Sequence, residues 1–335
     1  MVLATTSKGG KVLVLGTGGT IAGTSSTGRD RDYQAAQLQV ADLVHAVPEL
    51  AAFQLETQQV AQVDSKDMGW PIWRELLAAC LVALARDDVS GLVITHGTDT
   101  LEETALLLHA LLPLGKPVVL TAAMRPASSA LADGPVNLLH SVRAVDVAAR
   151  HGWHGVVVAM NGHLWPATLV RKAHSWHVDA FDGGGSSRAL DAPQAWQPSQ
   201  GLHRPHLLTL QALPWVALVF SHADADGRLI EAALKMPEPP LGWVVACTGH
   251  GTLHAGLRSA LLRVEQGGAL VWRSTRVARG GVSPEASGTM AVAGVLTPGQ
   301  ARVLMSLGLA LGGAAGAEAL RDQVVQAAIP WGLMA

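Results

Sequence analysis

The sequence predicts an α/β protein: a doubly wound, mostly parallel sheet in an N-terminal domain, followed by a smaller α/β C-terminal domain. Three observations carry this expectation. Short β-branched runs alternate with longer segments of helical period from Lys11 to about Phe181. Between Asp182 and His206 the composition turns to Gly, Ser, Pro, Gln and His without periodicity, and strand-like runs resume at Trp215. At 335 residues the chain also exceeds the size at which a single core usually stops growing. The domains are read as 1–190 and 213–335, joined by a linker at 191–212.

Strands are expected near 11–16, 91–95, 117–121 and 155–160. Each is an apolar run, such as Val12-Leu13-Val14-Leu15 or Leu92-Val93-Ile94, of the kind covered on both faces in a parallel sheet. Trp70 to Arg86, Leu101 to Leu112 and Val136 to Arg150 carry apolar residues at three- and four-residue spacing, as helices packed on a sheet do. Right-handed crossovers between such strands wind the sheet in both directions. In the second domain, Trp215–Phe220, Trp243–Ala246 and Ala269–Trp272 read as strands and Ala301–Leu311 as a helix.

Apolar residues make up 49% of the chain and charged residues 15%, so little charged surface is expected, part of it hidden in a homo-oligomer. A net charge of −2, with Lys and Arg scattered along the chain, gives no footprint for nucleic acid or an anionic membrane. No run is expected to approach the ~20 apolar residues of a membrane helix, and the first ten residues lack the pattern of a signal peptide. Cys80 and Cys247 lie in apolar runs with no Cys-x-x-Cys pairing and read as two buried thiols, which fits a reducing cytoplasm.

The chemistry is expected where two strands run into Gly18-Gly19-Thr20 and Gly97-Thr98-Asp99. Ligands bind where parallel strands end, and two hydroxyls delivered to one rim beside Asp99 suggest covalent hydrolysis. Ile21 stands where a dinucleotide fingerprint needs its third glycine, and no Gly-Lys-Ser/Thr follows to make a P-loop. A plain alternative is that the glycines only close a turn and Thr20 caps the next segment. Likewise Thr100-x-x-Glu103 matches a capping box, which would leave Thr98 and Asp99 on the turn at a helix N-terminus. Thr24 to Tyr33 is small and polar enough to close as a lid, and Tyr33 is the only tyrosine in the chain. Fourteen histidines include His-x-x-His pairs at 151/154, 174/177 and 203/206, but no evident third ligand, so no metal is expected.

Gly16-Thr17-Gly18-Gly19-Thr20-Ile21-Ala22-Gly23 and Ile94-Thr95-His96-Gly97-Thr98-Asp99-Thr100-Leu101-Glu102-Glu103-Thr104 resemble the two signature segments of the bacterial L-asparaginase family. Asp64-Ser65-Lys66-Asp67-Met68, Ala123-Met124-Arg125-Pro126, Asp133 to Leu138 and Arg273 to Val277 resemble further motifs in the family's order. The resemblance implies an amidohydrolase that releases ammonia from L-asparagine, often with some action on L-glutamine, without metal or cofactor. It implies Thr20 as nucleophile, Tyr33 as its polarising lid residue, and Thr98, Asp99 and Lys172 as the set that activates a hydroxyl or water. It also implies that Ser65 and Asp99, with Lys66 beside them, hold the substrate's α-groups, and that the backbone at Ala123 holds its amide.

Lys66 replaces a glutamine frequent in the family, and His250 an asparagine reached from a neighbouring subunit, which bears on substrate preference. Glu285 is a candidate for the neighbour-subunit glutamate of a dimer or tetramer. Either threonine could attack first, and water could attack directly. L-glutamine or a related amide as main substrate, an amidotransferase subunit and a non-catalytic amino-acid-binding regulator are the competing readings.

Overall fold

The computed structural model describes residues 10–27, 29–113, 115–183, 188–189, 196, 201–202, 205–283 and 290–328. The chain divides into two compact units between residues 203 and 204. Of the segment 191–212, residues 191–195, 197–200, 203 and 204 lie outside the described residues, and Pro205–Thr209 form a 3-10 turn.

The first unit is built on a seven-stranded sheet. Its strands are β1 (Lys11–Gly18), β2 (Leu55–Val63), β3 (Val89–Thr95), β4 (Pro117–Thr121), β5 (Gly155–Met160), β6 (His163–Pro166) and β9 (Arg188–Ala189). A separate hairpin pairs β7 (Arg171–Lys172) with β8 (Phe181–Asp182). The sheet order is β2-β1-β3-β4-β5-β6-β9, parallel through β5 and antiparallel beyond it. Helices α1 (Val40–His45), α2 (Trp70–Leu84), α3 (Leu101–Leu111) and α4 (Gly134–His151) complete the unit.

Val12, Val14, Val93, Val119 and Val157 pack with α1 and α4 residues such as Leu43, Leu138 and Val142 in one core. The pleat turns Leu13, Leu15, Leu92, Ile94 and Leu120 to the opposite face, where they are also buried. Burial on both faces is why these strands are continuous apolar runs.

β2 was not foreseen. Its sequence, LETQQVAQV, is half exposed at the sheet edge and has neither an apolar run nor clean alternation. Yet it decides where a ligand can bind, because the chain leaves β1 toward β2 on one side and β3 toward β4 on the other. The reversal opens a crevice at the C-terminal ends of the neighbouring strands β1 and β3.

The second unit has a parallel sheet in the order β10 (Val216–Phe220), β11 (Gly242–Cys247), β12 (Leu270–Thr275) and β13 (Ala291–Val292). Helices α5 (Arg228–Ala233) and α6 (Ala255–Gln266) bury Ile230, Leu257 and Leu261 against Trp243, Val245 and Val271. α7 (Pro298–Ala328) packs on β10, β11 and β12.

The expectation that no apolar stretch approaches membrane length needs correction, since Pro298–Val325 is long and apolar enough by length and composition. Gly312 and Gly313 interrupt the helix, and its residues Val303, Leu304, Met305 and Leu307 are fully buried, as in a core helix.

Candidate active site

The first turn begins at a register shift between Gly16 and Gly18 in β1, where Thr17 Oγ1 donates to Thr95 O at 2.9 Å and ties the ends of β1 and β3 together. Gly19 has φ 81°, and a Cβ there would collide with the Gly97 backbone, while a Cβ on Gly97 would meet Ser65 Oγ. Two glycines therefore let the turns touch, a closeness that any other residue would forbid.

Thr20 is not a cap. Gly19 holds the N-cap position of the short 3-10 turn Thr20–Ala22 without a side-chain bond, and Thr20 Oγ1 instead meets Tyr33 Oη at 2.7 Å. The phenol comes from the segment predicted as a lid, which an antiparallel bridge between Thr24 and Gln34 closes at its base.

On the second turn, Lys172 Nζ donates to Thr98 Oγ1 at 2.8 Å and to Asp99 Oδ1 at 2.6 Å. The lysine stands on β7, where its own backbone N–H donates to Glu102 Oε2 at 2.7 Å. Thr98 and Thr20 are 5% and 7% exposed, whereas the Asp99 side chain is 52% exposed and open to a ligand.

The expected capping box at Thr100 does not form. Thr100 is the N-cap residue of α3, but its hydroxyl donates to Ser65 O at 2.8 Å, while Ser65 Oγ accepts the N–H of Asp99 at 3.2 Å. These two bonds bind the Ser65 turn, which follows β2, to the turn that follows β3.

Thr20, Tyr33, Ser65, Thr98, Asp99 and Lys172 line one cavity of about 460 Å³. Backbone N–H groups of Thr20 and Thr98 have no partner among the described residues. The same is true of the N–H and C=O of Ala123, which is fully buried. Its neighbours Met124 and Arg125 line the cavity, their N–H groups held by Asp133 at 3.0 and 2.9 Å.

Ala123 itself does not line the cavity, and Lys66 is the expected site side chain that is not brought in. Its ammonium pairs with Asp67 at 2.5 Å and Asp64 at 3.4 Å, because two carboxylates within two residues hold it locally. It bears on the cavity only through Asp64, which does line it.

Several lining residues were not singled out from sequence: Asp30, Arg31, Arg125, Ser175 and Trp176. The Arg31 guanidinium lies 5.0 Å from the ring centroid of Trp176, and Asp30 lies 3.8 Å from Arg125, so the lid is tied on both flanks. A tryptophan between histidines in a polar segment was the available signal.

The His174/His177 pair serves this turn. His174 Nδ1 accepts the N–H of Trp176 and of His177 at 3.3 and 3.0 Å, and both rings pack edge-on with Trp176. Among the described residues no group of three or more His, Cys, Asp or Glu is placed to hold a metal ion.

His250 Nε2 accepts the N–H of Ser283 at 2.8 Å in the second unit, and Glu285 lies outside the described residues. Cys80 and Cys247 are buried and unpaired, and burial pushes both thiols up, Cys247 to about 12.

Known proteins resemble the chain over most of its length. Residues 11–194 match the asparaginase N-terminal domain and residues 215–322 the glutaminase/asparaginase C-terminal domain. The chain is 33% identical over 313 residues to the probable periplasmic L-asparaginase of Haemophilus influenzae, covering 89% of this chain and 88% of that protein. L-asparaginase 2 of Escherichia coli gives the same identity and coverage. The crystal structure of a probable cytoplasmic L-asparaginase from Campylobacter jejuni superposes with a TM-score of 0.82 at 31% identity, over 94% of this chain and 99% of that one. The chain belongs to the asparaginase family of enzymes.

Proposed function

We propose that this chain hydrolyses L-asparagine to L-aspartate and ammonia through a threonine nucleophile. The convergence of the Thr20–Tyr33 pair and the Thr98–Lys172–Asp99 set on one cavity carries the reading. Thr20 Oγ1 attacks the side-chain amide carbon, and the charge that develops on oxygen falls to the N–H groups of Thr20 and Thr98. The carbon–nitrogen bond breaks, and the proton lost by Thr20 ends on the leaving ammonia. Water, held by Thr98 Oγ1 with Lys172 behind it, then attacks the ester, which releases L-aspartate and restores the hydroxyl. Asp99 receives the substrate ammonium and Ser65 its carboxylate, while the backbone of Ala123 receives the amide; neighbouring buried polar groups would reject amides lacking the zwitterion.

L-Glutamine is the competing substrate. The cavity leaves room for one more methylene, and a glutaminase-asparaginase of Pseudomonas fluorescens is 29% identical over 91% of this chain. A methylene is worth only about 1–3 kcal/mol of discrimination.

Self-association into a dimer or tetramer is part of the proposal. It is supported by exposed Trp215, Phe220, Leu229, Met236 and Leu241 on the second unit, and light scattering at micromolar concentration tests it. A reducing, cytoplasmic setting is supported by the two unpaired buried thiols, although the relatives' names divide between periplasmic and cytoplasmic.

The test is ammonia release from L-asparagine, L-glutamine and D-asparagine, with and without EDTA. Rapid, EDTA-insensitive L-asparagine turnover that is lost in Thr20→Ala is expected. Binding of L-asparagine without ammonia release would make the protein an amino-acid-binding regulator.

A further inference from the structure

The second catalytic turn has a weakness built into it. Gly97 has no Cβ because Ser65 fills that space, and the peptide between Gly97 and Thr98 therefore has little steric restraint on its orientation. Yet that peptide carries the Thr98 N–H, which the proposed chemistry needs on the cavity side.

Behind the turn stands His96, fully buried at the end of β3. Its Nδ1 lies 2.7 Å from Gly97 O, and its Nε2 lies 3.0 Å from Thr104 Oγ1. Trp73 Nε1 in turn donates to Thr104 Oγ1 at 2.8 Å.

Both ends of this chain have fixed polarity, since an indole N–H only donates and a carbonyl only accepts. The hydrogens therefore run one way: from indole to Thr104, from the Thr104 hydroxyl to Nε2, and from Nδ1–H to Gly97 O. Only the neutral Nδ1–H tautomer satisfies every group. Burial favours the neutral ring independently, lowering its pKa to about 4.

The Gly97–Thr98 peptide is trans, so a planar unit that turns its C=O to His96 turns its N–H the opposite way. Thr98 lines the cavity, and its N–H has no other partner among the described residues.

We propose that His96 is a positioning residue: as an Nδ1–H imidazole clamped by Thr104 and Trp73, it locks the Gly97–Thr98 peptide so that the Thr98 N–H meets the developing oxyanion. The proposal rests on the amidohydrolase reading given above and assigns the buried network behind it a task in the transition state.

The experiment compares His96→Leu, His96→Asn, Thr104→Val and Thr104→Ser with Val142→Ala, a core change on the face of α4, by thermal melting, kcat and KM. Loss of one preorganised donor lowers kcat about 10²–10³-fold. His96→Leu is expected to fall in that range with KM within about twofold and L-aspartate affinity unchanged. His96→Asn, whose amide can still donate to Gly97 O, recovers much of the rate, and Thr104→Ser retains it while Thr104→Val does not. Val142→Ala lowers the melting temperature while keeping kcat. A kcat in His96→Leu that falls no further than in Val142→Ala at matched loss of melting temperature overturns the proposal.

Histidine ¹⁵N NMR of the wild-type protein reads the clamp without turnover. A proton on Nδ1 and a bare Nε2 from pH 5 to 8 are expected, and the opposite tautomer overturns the proposal. If the wild type releases no ammonia from either amide, the functional reading fails, and with it the transition-state task of the clamp, whatever the tautomer.

Discussion

The two threonine turns end neighbouring strands and touch through glycines, but they are supported in opposite ways. Thr98 is held from behind by the half-buried Lys172 anchored on Glu102, by the buried Ser65 beneath Asp99, and by the buried Trp73–Thr104–His96 relay. Thr20 takes its side-chain partner, Tyr33, from a lid whose flanking ties, Arg31 on Trp176 and Asp30 with Arg125, lie at the surface. A fixed donor set is what stabilises charge without reorganisation, while the group that admits substrate must open and close. Under the proposed chemistry, this difference would give electrostatic preorganisation to the second turn and gating with attack to the first.

The largest effects should come from removing either hydroxyl. Thr20→Ala and Thr98→Val are each expected to lower kcat on the order of 10³-fold or more with the fold intact, checked by steady-state rates and circular dichroism. If Thr98 and Lys172 work as a unit, Thr98→Val combined with Lys172→Met costs scarcely more than either alone, and additive losses would break the comparison.

Acid should damage the second turn first. His96 and His109 are fully buried and desolvation lowers both to about 4, and His109 has no hydrogen-bond partner for either ring nitrogen among the described residues. An unfolded histidine takes its proton near pH 6.5, so between about 6.5 and 4 the unfolded state binds more protons than the folded one. Stability therefore falls as pH falls through this window and levels off below it, by roughly 3 kcal/mol for each ring at the acid limit. Amide exchange is expected to quicken across Gly97–Thr104 before it quickens around Thr20, and the reverse order would contradict the assignment.

Tyr33→Phe deletes one hydrogen bond at a half-buried position. A loss of about 10²-fold in kcat with an unchanged melting temperature is expected, and a rate near wild type would mean that Thr20 is polarised by another group. The smallest effect sharpens the gating half: Trp176→Ala removes an exposed cation–π contact worth about 0.5–1 kcal/mol, so KM should rise about two- to fivefold with kcat nearly constant.

Much of the fold was legible because burial on both faces writes itself into composition. β1, β3, β4 and β5 are apolar runs for that reason, and α4 extends from Gly134 to His151 around the periodic stretch read as 136–150. β2 escaped because an edge strand rich in glutamine buries too little to leave a pattern, and β6 and β9 because short antiparallel additions resemble loop. In the site, the glycines and threonines were visible because a glycine-closed turn with a hydroxyl beside it is a local pattern. Lys66 misled because sequence adjacency to Ser65 says nothing of where a long side chain points, and nearby carboxylates took it. His96 stood in the quoted motif but was given no task, since a buried relay leaves no mark on composition.

By itself the sequence determined the fold class, the two Gly-Thr turns and the family, since strand burial and turn closure depend on residues close together in the chain. Only the tertiary structure decided which groups meet there. Lys172 reaches Thr98 across 74 residues and Tyr33 reaches Thr20 across 13, while Trp73 joins His96 only through Thr104. Those meetings depend on the strand order β2-β1-β3-β4, whose reversal beside β1 brings four strand ends to one rim. No local pattern encodes that order, because it is set by the joint packing of helices and strands distant in sequence.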